Sequence, residues 1–127
     1  MSDERRHPTV DLDETVHQRV RLGILAVLSE ADRATFTYLR ETLDTTDGNL
    51  SRHLMVLREA GLVEVDKGYE RNRPRTWVRA TARGRDTFAA ELRTLRSLVA
   101  RHERASEEPR GTAAPQALRV QDSAPSP

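Results

Sequence analysis

Several residue types are scarce or absent in this 127-residue chain, and each absence excludes a class of structure or chemistry. Because there is no cysteine, disulfides, thiol catalysis and thiolate metal sites are excluded. Aromatic residues make up only 4% of the chain, so its core must be aliphatic. No apolar run approaches the roughly 20 residues that cross a membrane, and the charged start of the chain lacks the apolar core of a signal peptide. We therefore expect a cytoplasmic protein that makes no membrane contact.

The basic residues are unevenly distributed, although the net charge of the whole chain is only +1. Between Lys67 and Arg85 there are seven basic side chains and one acidic side chain, Glu70, so this segment has a net charge of +6. A concentrated basic patch is typical of a protein that binds a polyanion. A merely solvated charged loop is the alternative, and it is disfavoured because the other acidic residues lie elsewhere.

The first part of the sequence is predicted to be an arm followed by a helix. Residues 1–11 are polar and are predicted to form a flexible arm. A helix is predicted from about Leu12 to Ser29, with Asp11 or Asp13 as its N-cap and a bend at residues 18–19 as an alternative to a straight course. Two adjacent apolar stripes indicate that this helix is buried on a broad face. The stripes are Val16, Val20, Ile24 and Val27, and Leu22, Leu25 and Leu28.

Two short helices joined by a tight turn follow after a polar connection. The first is predicted over residues 38–43 with Thr37 as its N-cap, and the second over about 46–60 with Thr46 as its N-cap. Gly61 stands where such a helix ends in a left-handed residue. Two short helices in this arrangement are typical of a helix-turn-helix.

The apolar period changes from helical to alternating after the second short helix. Residues 62–66 and 76–81 are predicted to be antiparallel strands joined by a loop over 68–74, which makes a hairpin with a basic tip. A long helix is predicted from about Ala82 to Arg104, with Thr81 as its N-cap. Beyond it the periodicity ends, so residues 106–127 are predicted to be a disordered tail.

This order of elements is that of a winged helix-turn-helix domain, here over residues 12–105. The segment DGNLSRHL at 47–54 resembles the recognition-helix motif of ArsR- and MarR-type bacterial regulators. HQRVRLGIL at 17–25 resembles their first core helix, and ATARGR at 80–85 resembles their junction between wing and last helix. The resemblance covers about residues 12–100. It implies a mainly α-helical fold with a small β-hairpin wing and a long C-terminal dimerisation helix.

The same resemblance implies a transcriptional regulator that binds double-stranded DNA sequence-specifically as a homodimer. Two residues depart from the pattern of these families. Asp44 stands where the turn often carries glycine, and because aspartate tolerates the left-handed region the turn should survive. Arg19 stands where a proline often starts the helix, so the first helix can run on unbroken there.

The recognition helix, about 46–60, is expected in the major groove, and the wing, about 67–76, on the DNA backbone or in the minor groove. At about 100° per residue, Leu50, Leu54 and Leu57 face inward and a short polar set faces outward. Arg52 suits a bidentate contact to guanine and Asn49 suits adenine, although either can hold a phosphate instead. Solvated polar side chains with no partner are the alternative. The predicted DNA-binding residues are Gly48, Asn49, Ser51, Arg52 and Met55 on the helix, and Lys67, Arg71, Arg73 and Arg75 in the wing.

Four residues of this region have simpler explanations than DNA binding. Thr46 and Asp47 are interpreted as capping residues, because a hydroxyl and an acid stabilise the positive end of a helix. His53 lies at the edge of the buried face and is interpreted as a hydrogen-bonded core residue. Trp77, alone in a strand, is interpreted as a core or interface residue.

The last helix carries an apolar seam that predicts the dimer interface. The seam is Phe88, Leu92, Leu95 and Val99. Its spacing is close to the repeat of about 3.5 residues found where helices pack together, and a compact three-helix core would not cover it fully. In the resembling families, metals or small aromatic acids act near the dimer region. This chain lacks a cluster of metal-ligating residues, so we predict no metal or other cofactor and leave open an unidentified small-molecule effector.

Two other classes of function compete with DNA binding. An enzyme is disfavoured, because the sequence has no Ser-His-Asp spacing, glycine-rich phosphate loop or paired buried carboxylates, and its four histidines are scattered. A winged helix that binds a protein, or RNA, is the other alternative. Protein-binding domains of this kind tend to have an apolar or acidic recognition helix, whereas here the helix is polar and the wing strongly basic.

Overall fold

A computed structural model describes residues 7–107, so residues 1–6 of the predicted arm and 108–127 of the predicted tail lie outside the described residues. Within this range the chain forms four α-helices and a three-stranded antiparallel sheet of order β1-β3-β2. The elements are α1 (Arg19–Glu30), β1 (Ala34–Thr35), α2 (Phe36–Thr42), α3 (Asp47–Glu59), β2 (Val63–Glu70), β3 (Arg73–Ala80) and α4 (Ala82–Glu107). The predicted fold class, a winged helix with a long last helix, is confirmed.

The core is aliphatic, and α1 lies at its centre, packed against α3, α4 and β3. Fully burying an aliphatic side chain stabilises the fold by roughly 1.5–3 kcal/mol. The three buried leucines of α3 therefore stabilise the packing of α3 against the core, where it contacts α1. The buried apolar side chains are Val16, Val20, Ile24, Leu25, Leu28, Ala34, Leu39, Leu50, Leu54, Leu57, Leu62, Val63, Val78, Ala80 and Phe88.

The first helix begins at Arg19 and not at the predicted Leu12. Gln18 is extended, and its side-chain oxygen accepts hydrogen bonds from the backbone N–H groups of Val20 at 2.9 Å and Arg21 at 3.1 Å. This cap satisfies backbone N–H groups that a helix start leaves without partners, so the helix begins here without a proline. The predicted helix over residues 12–18 is therefore wrong, whether straight or bent, because these residues form a turn and extended chain before α1.

The chain before α1 is held against α4 by a buried carboxylate. Pro8–Asp11 forms a 3-10 turn where the sequence indicated a flexible arm, and Asp13 caps a turn rather than the helix. Glu91 of α4, whose side chain is fully buried, accepts a 2.9 Å hydrogen bond from the Asp13 N–H and lies 2.9 Å from His17 Nδ1. A buried polar group is costly without hydrogen-bond partners, and these two contacts offset that cost.

The first short helix starts earlier than predicted. Its N-cap is Thr35 and not Thr37, because the Thr35 hydroxyl accepts a 3.0 Å hydrogen bond from the Tyr38 N–H. The residues just before it form β1, a strand that the sequence analysis missed. Ala34 and Thr35 pair with Val78 and Trp77 of β3.

Both ends of α3 agree with the sequence prediction. Thr46 is its N-cap, and its hydroxyl accepts from the Asn49 N–H at 3.2 Å. Gly61 has a φ of 78°, its N–H donates to the Arg58 carbonyl, and the next N–H, of Leu62, donates to the Leu57 carbonyl, both at 2.9 Å. This pair of bonds is the Schellman motif, which glycine permits without strain.

The wing is a longer hairpin than predicted, so the predicted loop over 68–74 is wrong. β2 and β3 are paired from Val63–Ala80 as far as Glu70–Arg73. Only Arg71 and Asn72 form the turn, with φ of 55° and 66°, the two positive values of a type I′ hairpin turn. Pro74 is tolerated within β3 because β1 pairs only with residues 77–78, so no third strand needs the missing N–H there.

A tight junction connects the wing to α4. Thr81 is the predicted N-cap, since its hydroxyl accepts from the Gly84 N–H at 2.9 Å while donating to the Gly61 carbonyl at 2.7 Å. A Cβ on Gly84 would lie 2.0 Å from the Leu62 carbonyl oxygen, so only glycine permits this approach. Between residues 7 and 107, no helix, α4 included, combines the length and apolar character needed to cross a bilayer.

Candidate nucleic-acid interface

The two faces of α3 differ as the helical period predicts. Leu50, Leu54 and Leu57 are buried in the core. The opposite face presents Gly48, Ser51, Arg52 and Met55, all exposed. Met55 is 59% exposed although it is apolar.

Gly48, the second residue of α3, is not required by packing within the chain. A Cβ built there meets no atom within 4 Å, and the residue does not have a positive φ. The neighbouring structure would therefore accept alanine, which is a better helix former. The absence of a side chain matters only to something that approaches this face from outside.

Asn49 and Arg52 are connected by hydrogen bonds on the exposed side of α3. The Asn49 amide nitrogen donates to the Thr45 hydroxyl at 2.9 Å, and the Asn49 amide oxygen accepts from the Arg52 guanidinium. Two of the predicted base-contacting residues are thus brought together, and Asn49 already uses both polar groups of its side chain.

The acidic residue at the start of α3 is paired with an arginine that the sequence analysis missed. Arg40 of α2 donates to Asp47 at 2.8 Å and lies 3.4 Å from Glu41. The hydrogen bond to Asp47 is the main reason that the pKa of Arg40 is raised. Asp47 still favours the positive end of the helix, and the ion pair reduces its repulsion of phosphates. Spacing alone could not reveal this pair, because the turn between the helices decides whether they meet.

The two faces of the wing carry different residues. Side chains alternate along a strand, and the register pairs Lys67 with Thr76 and Tyr69 with Pro74. Lys67 and Tyr69 therefore share the face of Val63 and Val65, whereas Arg73 and Arg75 lie on the other face. The structure thus divides the predicted basic patch. Tyr69, which is 71% exposed, was missed, although the alternation from Val63 onward could have placed it.

Two of the wing arginines are paired with carboxylates. Arg75 lies 3.1 Å from Glu70, and Arg79 lies 3.5 Å from Asp66. Lys67, Arg71 and Arg73 make no ion pair within residues 7–107, and all three are exposed. These three are the basic side chains of the hairpin that are left without an ion-pair partner among the described residues.

A groove of about 400 Å³ separates α3 from the wing. It brings together Ser51 and Met55 of α3 with Lys67 of the wing. Lys67 and Thr76 also line a second depression of about 310 Å³ that continues along the wing beside Tyr69 and Pro74. The helix and the hairpin therefore share one continuous surface.

His53 and Trp77 lie outside this groove. His53 is half-buried, but its Nδ1 atom has no hydrogen-bond partner in the described chain, so the predicted hydrogen-bonded core histidine is wrong for that atom. Burial, and then the charges of Arg21, Arg52 and Arg19, lower the pKa of His53. Trp77 is half-buried, with the Arg33 guanidinium 3.8 Å from its ring centroid, a cation–π contact.

The apolar seam of α4 divides into two halves. Phe88, only 8% exposed, belongs to the core of the chain itself, and Leu92 packs against that core. Leu95 is half-buried and Val99 is 55% exposed. Only the second half of the predicted seam is therefore available to another molecule.

The fold and this surface define a winged helix-turn-helix protein of the DNA-binding class. The family model described as "Winged helix DNA-binding domain" matches residues 20–99, and the chain belongs to that family. An uncharacterized protein of Methanocaldococcus jannaschii is 44% identical over 69 residues, which are 54% of this chain and 75% of that protein.

Solved structures of transcriptional regulators share the fold. A transcriptional regulator homologue from Pyrococcus horikoshii OT3 is 32% identical with a TM-score of 0.66, covering 76% of this chain and 94% of that one. A putative regulator of the MarR family from Enterococcus faecalis V583 has a TM-score of 0.58 at 23% identity, covering 74% and 81% of the two chains. This second likeness concerns the fold alone. Family and fold together make the chain a DNA-binding regulator.

Proposed function

We propose that this protein regulates transcription by binding a specific double-stranded DNA sequence as a homodimer, with α3 in the major groove and the wing on the backbone or in the minor groove. The observation that carries the proposal is the groove shared by α3 and the wing, where Ser51 and Met55 adjoin Lys67. An α-helix about 10–12 Å across fits a major groove about 12 Å wide. A duplex seated on α3 would bring its backbone to the wing.

The two parts of this surface suit different contacts. Arg52 has a planar guanidinium that can bond guanine at two atoms, which distinguishes guanine from the other bases. Arg71 and Arg73, at the tip of the hairpin, suit phosphates or a narrow minor groove, where the potential is negative. Arg75 was predicted to do the same, but its pairing with Glu70 reduces its net attraction.

Selection of bound duplexes from a random library tests the proposal. We expect one enriched sequence, and Arg52→Ala should weaken binding to it by about 1–3 kcal/mol while affecting random duplex much less. Arg93→Ala, at an exposed position in the first half of α4, is the matched control and should leave both affinities unchanged. If no sequence is enriched and Arg52→Ala does not discriminate between the two DNAs, the surface serves another partner.

The dimer is proposed to form through the second half of α4. This helix has 26 residues and is therefore about 39 Å long, which exceeds the core that it helps to form. Leu95 and Val99 lie on the part that the core does not cover. A two-fold dimer predicts a roughly palindromic operator with half-site centres about 34–36 Å apart, or a multiple of that distance.

Charged substitutions in this half of α4 test the dimer. The double variant Leu95→Glu/Val99→Glu should sediment as a folded monomer, because neither residue belongs to the core of its own chain. A variant that remains dimeric would place the interface elsewhere. Phe88 and Leu92 are unsuitable for this test, since their substitution would damage the core directly.

A further inference from the structure

We infer that Asn49 is a positioning residue, which holds the Arg52 side chain in the orientation that contacts a base and does not read a base itself. The inference rests on the proposed function. It concerns the hydrogen-bonded series Thr45–Asn49–Arg52, in which the first two members are half-buried and only the last is exposed.

The orientation of the Asn49 amide follows from the chemistry of its partners. A guanidinium can only donate hydrogen bonds, so the atom of Asn49 that faces Arg52 must be the amide oxygen. The amide nitrogen then faces Thr45, whose hydroxyl accepts at 2.9 Å. A flipped amide would place donors against Arg52, and is therefore excluded.

The anchor of this series is fixed relative to the helix. Thr45 is half-buried in the turn before α3, and its backbone N–H donates to the Arg40 carbonyl at 3.1 Å. The backbone N–H of Asn49 donates to the N-cap hydroxyl of Thr46. Asn49 is thus held through both its backbone and its side chain, one residue before the buried Leu50.

The arrangement favours guanine recognition by Arg52 over adenine recognition by Asn49. Adenine is recognised by an asparagine that offers its amide oxygen and nitrogen together, and here each of these atoms already has one partner within the chain, which fixes the direction of the amide. Arg52 gives one of its five N–H donors to Asn49 and keeps the others. A long side chain that is restrained before binding loses less conformational freedom when DNA arrives.

A double-mutant cycle on the selected operator and on random duplex separates the two roles. Asn49→Ala alone should weaken operator binding by about three- to tenfold, the typical effect of one hydrogen bond, with less than about twofold loss on random duplex. In an Arg52→Ala background the same substitution should have no further effect, because the side chain to be positioned is gone.

A second pair of variants tests the anchor without touching the amide. Thr45→Val removes the hydroxyl at nearly constant shape and should lower the ratio of operator to random affinity, whereas Thr45→Ser keeps the hydroxyl and should preserve it. Thermal melts confirm that all variants are folded.

The outcomes are distinguishable from those of the proposed function. If Asn49→Ala keeps its full effect in the Arg52→Ala background, or has none in the wild type, the positioning role is refuted while DNA binding stands. If Arg52→Ala itself leaves operator discrimination unchanged, the base-reading role proposed for Arg52 is refuted instead.

Discussion

The recognition helix and the wing lie on one surface but are held in different ways. Three buried leucines fix α3, and side-chain or backbone caps satisfy its two ends. Along β2, burial falls from Val63 in the core, through half-buried Val65, to Tyr69 at 71% exposure. Base contacts need fixed directions, whereas attraction to phosphates depends mainly on charge and distance. The rigid part therefore suits sequence reading, and the freer part suits anchoring.

Removing one apolar or aromatic side chain from each region should show the largest contrast in stability. Leu57→Ala leaves a cavity in the core and should lower the free energy of unfolding by about 2–5 kcal/mol. Tyr69→Ala removes an exposed side chain of the wing and should change it by less than about 0.5 kcal/mol. Urea unfolding at a fixed protein concentration measures both. A loss of several kcal/mol for Tyr69→Ala would mean that the wing is packed as firmly as the helix.

Neutralising the tip of the wing should change the salt dependence of DNA binding. In a dimer, Arg71→Ala/Arg73→Ala removes four candidate phosphate contacts, so the slope of log K against log salt should flatten by about 3.6, or about 0.9 for each contact. The matched variant Arg75→Ala/Arg79→Ala removes arginines that are paired with carboxylates and should flatten it less. Affinities measured across a salt series decide the matter. If Arg71→Ala/Arg73→Ala leaves the salt slope unchanged, the two arginines do not contact phosphates. If this variant loses affinity for the operator but not for random duplex, the wing reads sequence through the minor groove.

A methyl group added to α3 should separate stability from binding. Gly48→Ala should raise the free energy of unfolding by up to about 1 kcal/mol, because alanine favours helix and the Cβ meets nothing. The same methyl should weaken DNA binding if the duplex approaches this face closely. Gly84→Ala is the contrasting variant. Its Cβ would clash with the Leu62 carbonyl, so this substitution should lower the free energy of unfolding. Unchanged DNA affinity for Gly48→Ala would show that the duplex does not reach the start of α3.

The smallest expected effect is a pH dependence that arises on the half-buried flank of α3. Burial, with Arg21, Arg52 and Arg19, lowers the pKa of His53 below its ordinary value of about 6.5 in the unfolded chain. The unfolded state then binds the proton more readily than the folded state. Above about pH 6.5 His53 is neutral in both states and does not lower the free energy of unfolding, whereas that free energy falls as the pH drops toward the folded pKa.

Unfolding free energies at about pH 7.5 and pH 5.5 test this assignment. The wild type should lose more stability on acidification than His53→Gln, which cannot titrate. Equal losses in the two proteins would assign the pH dependence to other groups.

Much of the helix-turn-helix could be predicted because its signals are local. The spacing of Leu50, Leu54 and Leu57 defines a buried face, and Thr46 and Gly61 mark the two ends of α3 through bonds within a few residues. The start of α1 was predicted wrongly, since glutamine is not a usual N-cap and the apolar stripe continues back to Val16, which is buried from a turn rather than from a helix. A pattern of burial alone does not distinguish these cases.

The outward residues of α3 were predictable for the same reason, but their partners were not. Whether Asp47 meets Arg40, and whether Asn49 faces Arg52 or a free base edge, depends on side-chain geometry that spacing leaves open. The length of the wing was also misjudged, because Gly68 and Pro74 favour a loop in isolation. The ladder of β2 and β3 overrides that preference.

The sequence by itself determined the order of the elements, the buried face of α3, the caps at Thr46 and Thr81, and the concentration of positive charge in the hairpin. Each of these follows from residues that are neighbours in the chain. Only the tertiary structure decided what happens between distant segments. Glu91 meets Asp13 across 78 positions, and Phe88 belongs to the core while Val99 does not. The physical reason is that burial and pairing depend on which surfaces meet after the chain has folded. Periodicity shows which face of a helix or strand is apolar, but not which element packs against that face.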